Sequence, residues 1–419
     1  MKWRKSAISG YNPILLRCYD GFRKMTEQSL QNPGGVFEAC AEHGSAFLER
    51  VRAQVTAPER RKTLRRWGIQ DAARLIGRST QSIRQLELGN ETWLLNLGDV
   101  PRDQNGRRWY TLERINSYRD HFGTRQNRPP GSRAIRCAVT NFKGGAAKTT
   151  TAVHLAQKCA LEGLRVLAID LDPQATFTLL FGLIPDLDVE ADQTVSDVLV
   201  SNPAMLAQVI QPTYFTGVDL VPANLMLQDC ELLLANPGSN ESQAMGLSAI
   251  QRLDEALRSV EDAYDVIVID CGPNLGILTL NAVYAASGLL IPMQPAMADF
   301  GSAVMFFQTM GALLSNPRFA KPLEFLSILI TRHTGSVEAK QTEAMIRLAF
   351  SPYVLDDVMV QTVEIERAGN DFGTVYDIEQ PRGSGEAYAR AVKALDDANE
   401  GVLQIFRRVW AEQTIRAAA

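Results

Sequence analysis

Beyond residue 134 the apolar residues gather into six short, nearly unbroken runs: 135–141 (IRCAVTN), 165–170 (RVLAID), 217–223 (GVDLVPA), 265–270 (DVIVID), 288–295 (GLLIPMQP) and 325–331 (FLSILIT). Runs this short and this continuously apolar predict strands covered on both faces. The stretches between them are long enough for helices, so the pattern predicts an α/β fold: a mainly parallel sheet with helices on both faces.

Ahead of residue 134 the pattern differs. Val36, Phe37, Cys40, Phe47, Leu48 and Val51 recur at roughly helical spacing within residues 1–62, which reads as a helical region whose apolar stripe serves either core packing or self-association (dimerisation). Residues 65–90 predict a helix-turn-helix. A first helix covers about 70–76, Gly77 permits the turn, and Ser79 or Thr80 caps a second helix reaching about Leu88. Asn105-Gly106 is a two-residue hairpin signal, followed by Arg107 and Arg108 on the returning strand. Residues 123–133 contain Pro129, Pro130 and Gly131 among polar and basic residues and read as a linker. The organisation expected is therefore a helical region (1–62), a winged helix-turn-helix (63–122), the linker (123–133) and the α/β domain (134–419).

Charge sharpens this division. Of the 43 Lys and Arg and 47 Asp and Glu in the chain, residues 1–130 hold 23 basic and 13 acidic, leaving 20 and 34 for the rest. A basic front on an acidic rear points to a polyanion as partner of the front. Thr80, Gln81, Ser82, Arg84 and Gln85 on the second helix are residue types that reach base edges and phosphates. With Arg107 and Arg108 of the wing they are the candidate DNA contacts. The six cysteines stand singly, without the paired spacing of a zinc site or a disulfide framework. No apolar run approaches the ~20 residues of a membrane helix. The C-terminal Val402, Leu403, Ile405, Phe406, Val409 and Trp410 read as the core-facing stripe of a last helix.

The chemistry concentrates in NFKGGAAKTTTAVHLA, directly after the first strand of the α/β region. Backbone N–H groups of a glycine-rich loop and of the following helix N-terminus cradle phosphate oxygens. Here Lys143, Gly144, Gly145, Ala146, Ala147, Lys148, Thr149 and Thr150 would form that cradle. Lys148 would reach the β/γ-phosphates and Thr149 would ligate Mg²⁺. The position before the lysine, glycine in the standard motif, is Ala147. Two further polar clusters end predicted strands: DLDPQATFT, with Asp170 and Asp172, and DCGPNLG, with Asp270. Strand ends on one sheet edge are where open α/β folds bind ligands.

KGGxxKTT, DxDPQ and the Asp270 strand, in this order, resemble the signature of the deviant Walker A ATPases, and specifically the ParA family of plasmid-partition ATPases over about residues 134–400. The resemblance implies a P-loop NTPase fold that binds ATP and Mg²⁺ and hydrolyses ATP slowly unless a partner stimulates it. It implies that Lys143 reaches across a nucleotide-sandwich homodimer, that Asp172 helps activate water, and that Asp170 and Asp270 lie near Mg²⁺. The front resembles the MerR-like winged helix of the larger members, which repress their own operon and tolerate a non-glycine residue before the P-loop lysine. The resemblance further implies a ParB-like centromere-binding partner, non-specific DNA binding in the ATP state with Arg367 as first candidate, and a cytoplasmic, nucleoid-associated protein without membrane attachment. The rival expectation is a transcriptional regulator whose nucleotide fold only senses its ligand.

Overall fold

The computed structural model describes residues 62–418 apart from 90–91, 236–247, 318 and 380–383, together with Glu38, Glu42 and Gly44. The chain divides into two compact units, residues 1–62 and 63–419. The apolar positions noted within 1–62 lie outside the described residues.

The second unit begins with a small module. Strand β1 (Trp67–Gly68) runs straight into helix α1 (Ile69–Ile76). Helix α2 (Thr80–Leu88) follows a turn at Gly77, whose φ of 72° is left-handed. The hydroxyl of Ser79 caps α2 by accepting the Ser82 N–H at 3.1 Å, one of the donors a helix start leaves unmet. Helix α3 (Thr92–Asn96) leads to a hairpin in which Arg102 bridges Arg108 around Gly106. Strand β2 (Trp109–Tyr110) pairs antiparallel with β1, and helix α4 (Leu112–Phe122) completes the module. Ala72, Ile76, Ile83, Tyr110, Leu112, Ile115 and Tyr118 are fully buried in its core.

Residues 123–133 contain no helix or strand, but they are bonded along their length. Thr124 donates to the carbonyl of Ile76, Arg125 to that of Gly163, and Gln126 to the Glu162 carboxylate. Arg119 of α4 donates to the carbonyl of Leu161 at 2.7 Å. Gly163, at φ 101°, makes room for this docking: a Cβ there would meet Arg125 at 3.0 Å and Arg119 at 3.3 Å. The segment read as a linker is thus a pinned strap.

The main sheet has seven strands in the order β5-β6-β4-β7-β3-β8-β9. They are β3 (Ile135–Val139), β4 (Val166–Leu171), β5 (Gln211–Pro212), β6 (Val218–Val221), β7 (Val266–Cys271), β8 (Gly288–Met293) and β9 (Phe325–Ile330). All pairings are parallel except the short edge pair β5–β6. Every residue of β3, β4, β7 and β8 is buried, which is why they appear in the sequence as continuous apolar runs. Strand β5 was not foreseen: two residues carry too little pattern.

The helices used below are α5 (Lys148–Leu161), α6 (Thr176–Leu180), α7 (Leu227–Ala235), α8 (Arg252–Arg258), α9 (Ile277–Ala285), α10 (Met297–Leu314), α11 (Val337–Phe350), α12 (Val363–Asn370) and α13 (Gly385–Ala418). Helix α13 buries Leu395, Val402, Leu403, Phe406, Val409 and Trp410, and the Trp410 indole donates to the carbonyl of Arg133 at 3.0 Å. Its apolar stripe packs into the core. Among the described residues one helix, α10, has the length and apolar character to cross a membrane. It buries Asp299, Ala303, Phe306 and Met310 against the sheet.

Candidate functional site: a phosphate cradle at the carboxyl edge of the sheet

Strand β3 ends at Val139, and the loop that follows delivers the chain into α5 at Lys148. Gly145 and Ala147 both have left-handed backbones, at φ 80° and φ 64°. For a residue with a Cβ that conformation costs about 1 kcal/mol, and Ala147 adopts it where the standard loop has glycine. The loop is braced from β8 and β9, on one side of β3. The Thr331 hydroxyl, beyond β9, donates to the carbonyl of Ala146 at 3.1 Å. Gln294, beyond β8, donates its amide N–H to the carbonyl of Gly145. Asn141 donates to the carbonyl of Pro292 and accepts the Lys143 N–H.

A cavity of about 480 Å³ opens over this loop, lined on one side by Gly144, Gly145, Ala147, Lys148, Thr149, Thr150, Asp172 and Pro273. Lys148 is buried, and its Nζ donates to the carbonyl of Lys143 at 3.2 Å. Burial pulls its ammonium below the ordinary lysine range, and Asp270, the Cys271 thiol and Asp172 work against that shift. The Lys143 side chain is half-buried.

The three aspartates differ in their surroundings. Asp170 and Asp270 are register partners on β4 and β7, both fully buried. Burial raises both carboxyls above the usual carboxylate range, and for Asp270 the neighbouring Asp170 adds to the effect. Asp170 is occupied: Oδ2 accepts the hydroxyl of Thr178 at 2.7 Å and its N–H at 2.9 Å, and Oδ1 accepts the Asp172 N–H at 3.0 Å. Asp270 has neither oxygen in a well-formed hydrogen bond, although the Thr149 hydroxyl lies close enough to favour its charge. A buried, orphaned carboxylate facing a threonine hydroxyl at a helix start fits a hard divalent cation with oxygen ligands. Asp172 is half-buried, accepts the Gln174 N–H, and lies over Gly272, where a Cβ would come within 3.6 Å of it.

The opposite wall comes from residues far away in sequence: Arg332, Met359, Val360, Gln361, Thr362, Ile365, Glu366, Gly369 and Asn370. None of them belongs to the motifs that nominate the site from sequence. Their one linear signal is that Arg332 follows an apolar strand run on the same sheet edge.

The candidate DNA contacts lie apart from this cavity. On α2, Gln81, Arg84 and Gln85 are exposed, and Thr80 and Ser82 are half-buried. Arg107 is exposed in the hairpin, whereas the Arg108 guanidinium binds Glu87 at 2.5 Å. Glu87 also accepts the hydroxyls of Tyr110 and Tyr118. Arg367 is exposed on α12 and pairs with Glu364 at 3.1 Å.

Fold and cradle together define a P-loop nucleotide-binding α/β protein. A family profile described as "AAA domain" matches residues 134–315. A candidate replication protein A of Sinorhizobium fredii is 34% identical over 386 residues, covering 88% of this chain and 93% of that one. Protein SopA of Escherichia coli is 35% identical over 334 residues, 78% of this chain and 85% of its own length. A solved structure named "Partition Protein" superimposes with a TM-score of 0.61 over 90% of this chain and 98% of that one, at 20% identity, and so shares the fold. The chain belongs to the ParA family of partition ATPases.

Proposed function

We propose that the chain is an ATP-dependent DNA-partition motor. The observation that carries this reading is the convergence of Lys148, Thr149 and Asp172 on one cavity, with the orphaned Asp270 beneath it, in a member of the ParA family. ATP phosphates would lie along the loop N–H groups, with Lys148 on the β/γ-oxygens. Mg²⁺, when bound, would neutralise charge on those oxygens, held by the Thr149 hydroxyl and by Asp270 directly or through water. Asp170, already accepting three hydrogen bonds, would contribute at most through an ordered water. Asp172, half-exposed over Gly272, would orient the attacking water. Lys143 would act in a partner protomer, so ATP would close a homodimer and hydrolysis would open it.

In that state the dimer would bind DNA without sequence preference, through phosphate contacts that weaken with salt. Arg367 is the first candidate for such a contact. A ParB-like partner would stimulate hydrolysis, and α2 with the hairpin would bind the protein's own operator. The test is binding to a random-sequence duplex with ATP, with ADP and without nucleotide. Salt-sensitive binding seen only with ATP and lost in Lys143→Ala supports the motor; equal or absent binding in all three states rejects it.

One observation favours the second reading, a nucleotide-sensing regulator. The winged module is bonded directly to the C-terminal end of α5, the helix whose first turn is the phosphate cradle. Operator binding that responds to nucleotide in a chain without detectable ATP turnover would select it.

A further inference from the structure

We infer that the outer edge of β9 is a docking site for an extended basic peptide of a partner protein, which adds there as one more strand. The site lies at the amino end of β9, opposite the end that meets the nucleotide cavity, and does not depend on the reading above.

Strand β9 ends the sheet on one side, with β8 as its strand neighbour. In a parallel strand the N–H and C=O of one residue point to the same side, and successive residues alternate. Ile328 points outward: its N–H donates to the carbonyl of Tyr353 at 2.8 Å, and its carbonyl accepts the Leu355 N–H at 2.9 Å. The carbonyl of Ile330 likewise accepts the Met359 N–H at 2.8 Å. By alternation the N–H and C=O of Leu326 point outward too. Among the described residues neither has a hydrogen-bond partner. The segment that covers the edge starts only at Tyr353, whose own N–H donates back to Phe350. Below Ile328 the edge is therefore open, and an open edge is a template for another strand.

A groove of about 750 Å³ lies there, between β9, residues 352–357 and α13. Leu323, Leu326, Leu355 and Ile405 give it a half-buried apolar floor. Its rim is acidic: Glu324, Asp356 and Asp357 stand against Arg408. Among the described residues none of these three carboxylates forms an ion pair. Glu324 accepts only the neutral Gln413 amide, at 2.9 Å. The nearby cations are engaged elsewhere. Lys393 pairs with Asp397 at 2.6 Å, although Asp357 is close enough to favour its charge. Arg347 pairs with Glu343 and donates to the carbonyls of Leu355 and Asp356. Arg408 lies 4.0 Å from Glu412.

An unmet N–H and C=O, an apolar floor and an acidic rim suit an extended segment in which apolar residues alternate with Lys or Arg. Its backbone would bond Leu326, its apolar side chains would rest on Leu355 and Ile405, and its cations would reach the rim. Residues 323–327 span about 16 Å when extended, room for about five residues of the partner.

The test is titration of the full chain, by fluorescence anisotropy at low salt, with blocked hexapeptides in which Lys or Arg alternates with Val, Leu, Ile or Phe. At least one is expected to bind below about 1 mM, equally with and without ATP, and to slow hydrogen exchange at the Leu326 amide. Leu326→Pro removes an N–H that no sheet bond uses and should weaken binding roughly 3- to 10-fold. Asp356→Asn with Asp357→Asn, which leaves the strand untouched, should weaken it by a similar factor and flatten its salt dependence. Of the two alternately N-methylated forms of the best peptide, one should lose binding and the other keep it, because only one blocks the pairing edge. No binding by any peptide would overturn the proposal, as would displacement by ATP. Unchanged affinity in both protein variants, or in both methylated forms, would do the same. Wild-type chain that self-associates through this edge, with Leu326→Pro shifting its sedimentation, would give the groove to a second copy and also overturn it.

Discussion

The Arg119 guanidinium of the winged module donates to the carbonyl of Leu161, in the last turn of the helix that starts at the phosphate loop. The same side chain donates to Leu75 and Asn116 inside its own module. One residue therefore joins α1 and α4 of the front module to α5, the helix that starts at the phosphate loop. Arg119→Ala would leave the carbonyls of Leu75 and Leu161 without this donor and create a cavity at a site only 2% exposed. The expected cost is about 2–4 kcal/mol of stability. Denaturant unfolding should register it, and limited proteolysis should cut within 123–133 faster than in wild type.

Ala147→Gly should be tolerated or stabilising, by up to about 1 kcal/mol, because the position is left-handed at φ 64°. Ala147→Val should instead destabilise the loop and weaken nucleotide binding at least tenfold, since a β-branched residue resists that conformation. Thermal unfolding with and without ATP checks both; a Val variant that binds normally would show that the loop rearranges.

The two wing arginines should separate. Arg107→Ala is expected to weaken operator binding with stability unchanged, since its side chain is exposed. Arg108→Ala should cost about 1–3 kcal/mol of stability, because Glu87, also bonded to Tyr110 and Tyr118, would lose its cation. Melting curves beside a DNA titration distinguish them.

At the opposite edge of the sheet Asp254 is buried beside Arg136 and Lys321, each at 2.8 Å. Burial pushes its carboxyl up, but Lys321, Arg136 and Arg258 outweigh that and hold it below the usual carboxylate range. An acid whose pKa is lower in the folded state adds stability above its unfolded pKa, and that stability is lost as pH falls through the folded one. Unfolding free energy should therefore drop as pH falls below about 4. Asp254→Asn should be less stable at neutral pH and show a shallower loss in acid.

Much of this was legible in linear form because the physics is local or periodic. Strands buried on both faces must be apolar throughout, and so 135–141, 165–170, 265–270 and 288–295 announced a parallel sheet. The turn at Gly77 and the cap at Ser79 follow from backbone sterics and unmet N–H groups within a few residues. Helix α13 showed its core stripe through helical spacing alone. The two-residue strands β1, β2 and β5 were not legible, since so few residues carry no period.

In the site the division is similar. The loop from Lys143 to Thr150 and the aspartates at the strand ends are contiguous motifs, so sequence could nominate them. That Asp170 is saturated by Thr178 while Asp270 is left bare depends on which side chains face each carboxylate. Arg108's commitment to Glu87, 21 residues away, is invisible for the same reason.

The sequence by itself determined the sheet, the phosphate loop and the class of chemistry, because strand burial, turn geometry and phosphate binding use neighbouring residues. Only the tertiary structure decided what faces the loop across the cavity and what holds the winged module to its helix. Those partners, Arg332 with the 359–370 wall and Arg119 with Leu161, meet through sheet order and packing, which no local spacing encodes.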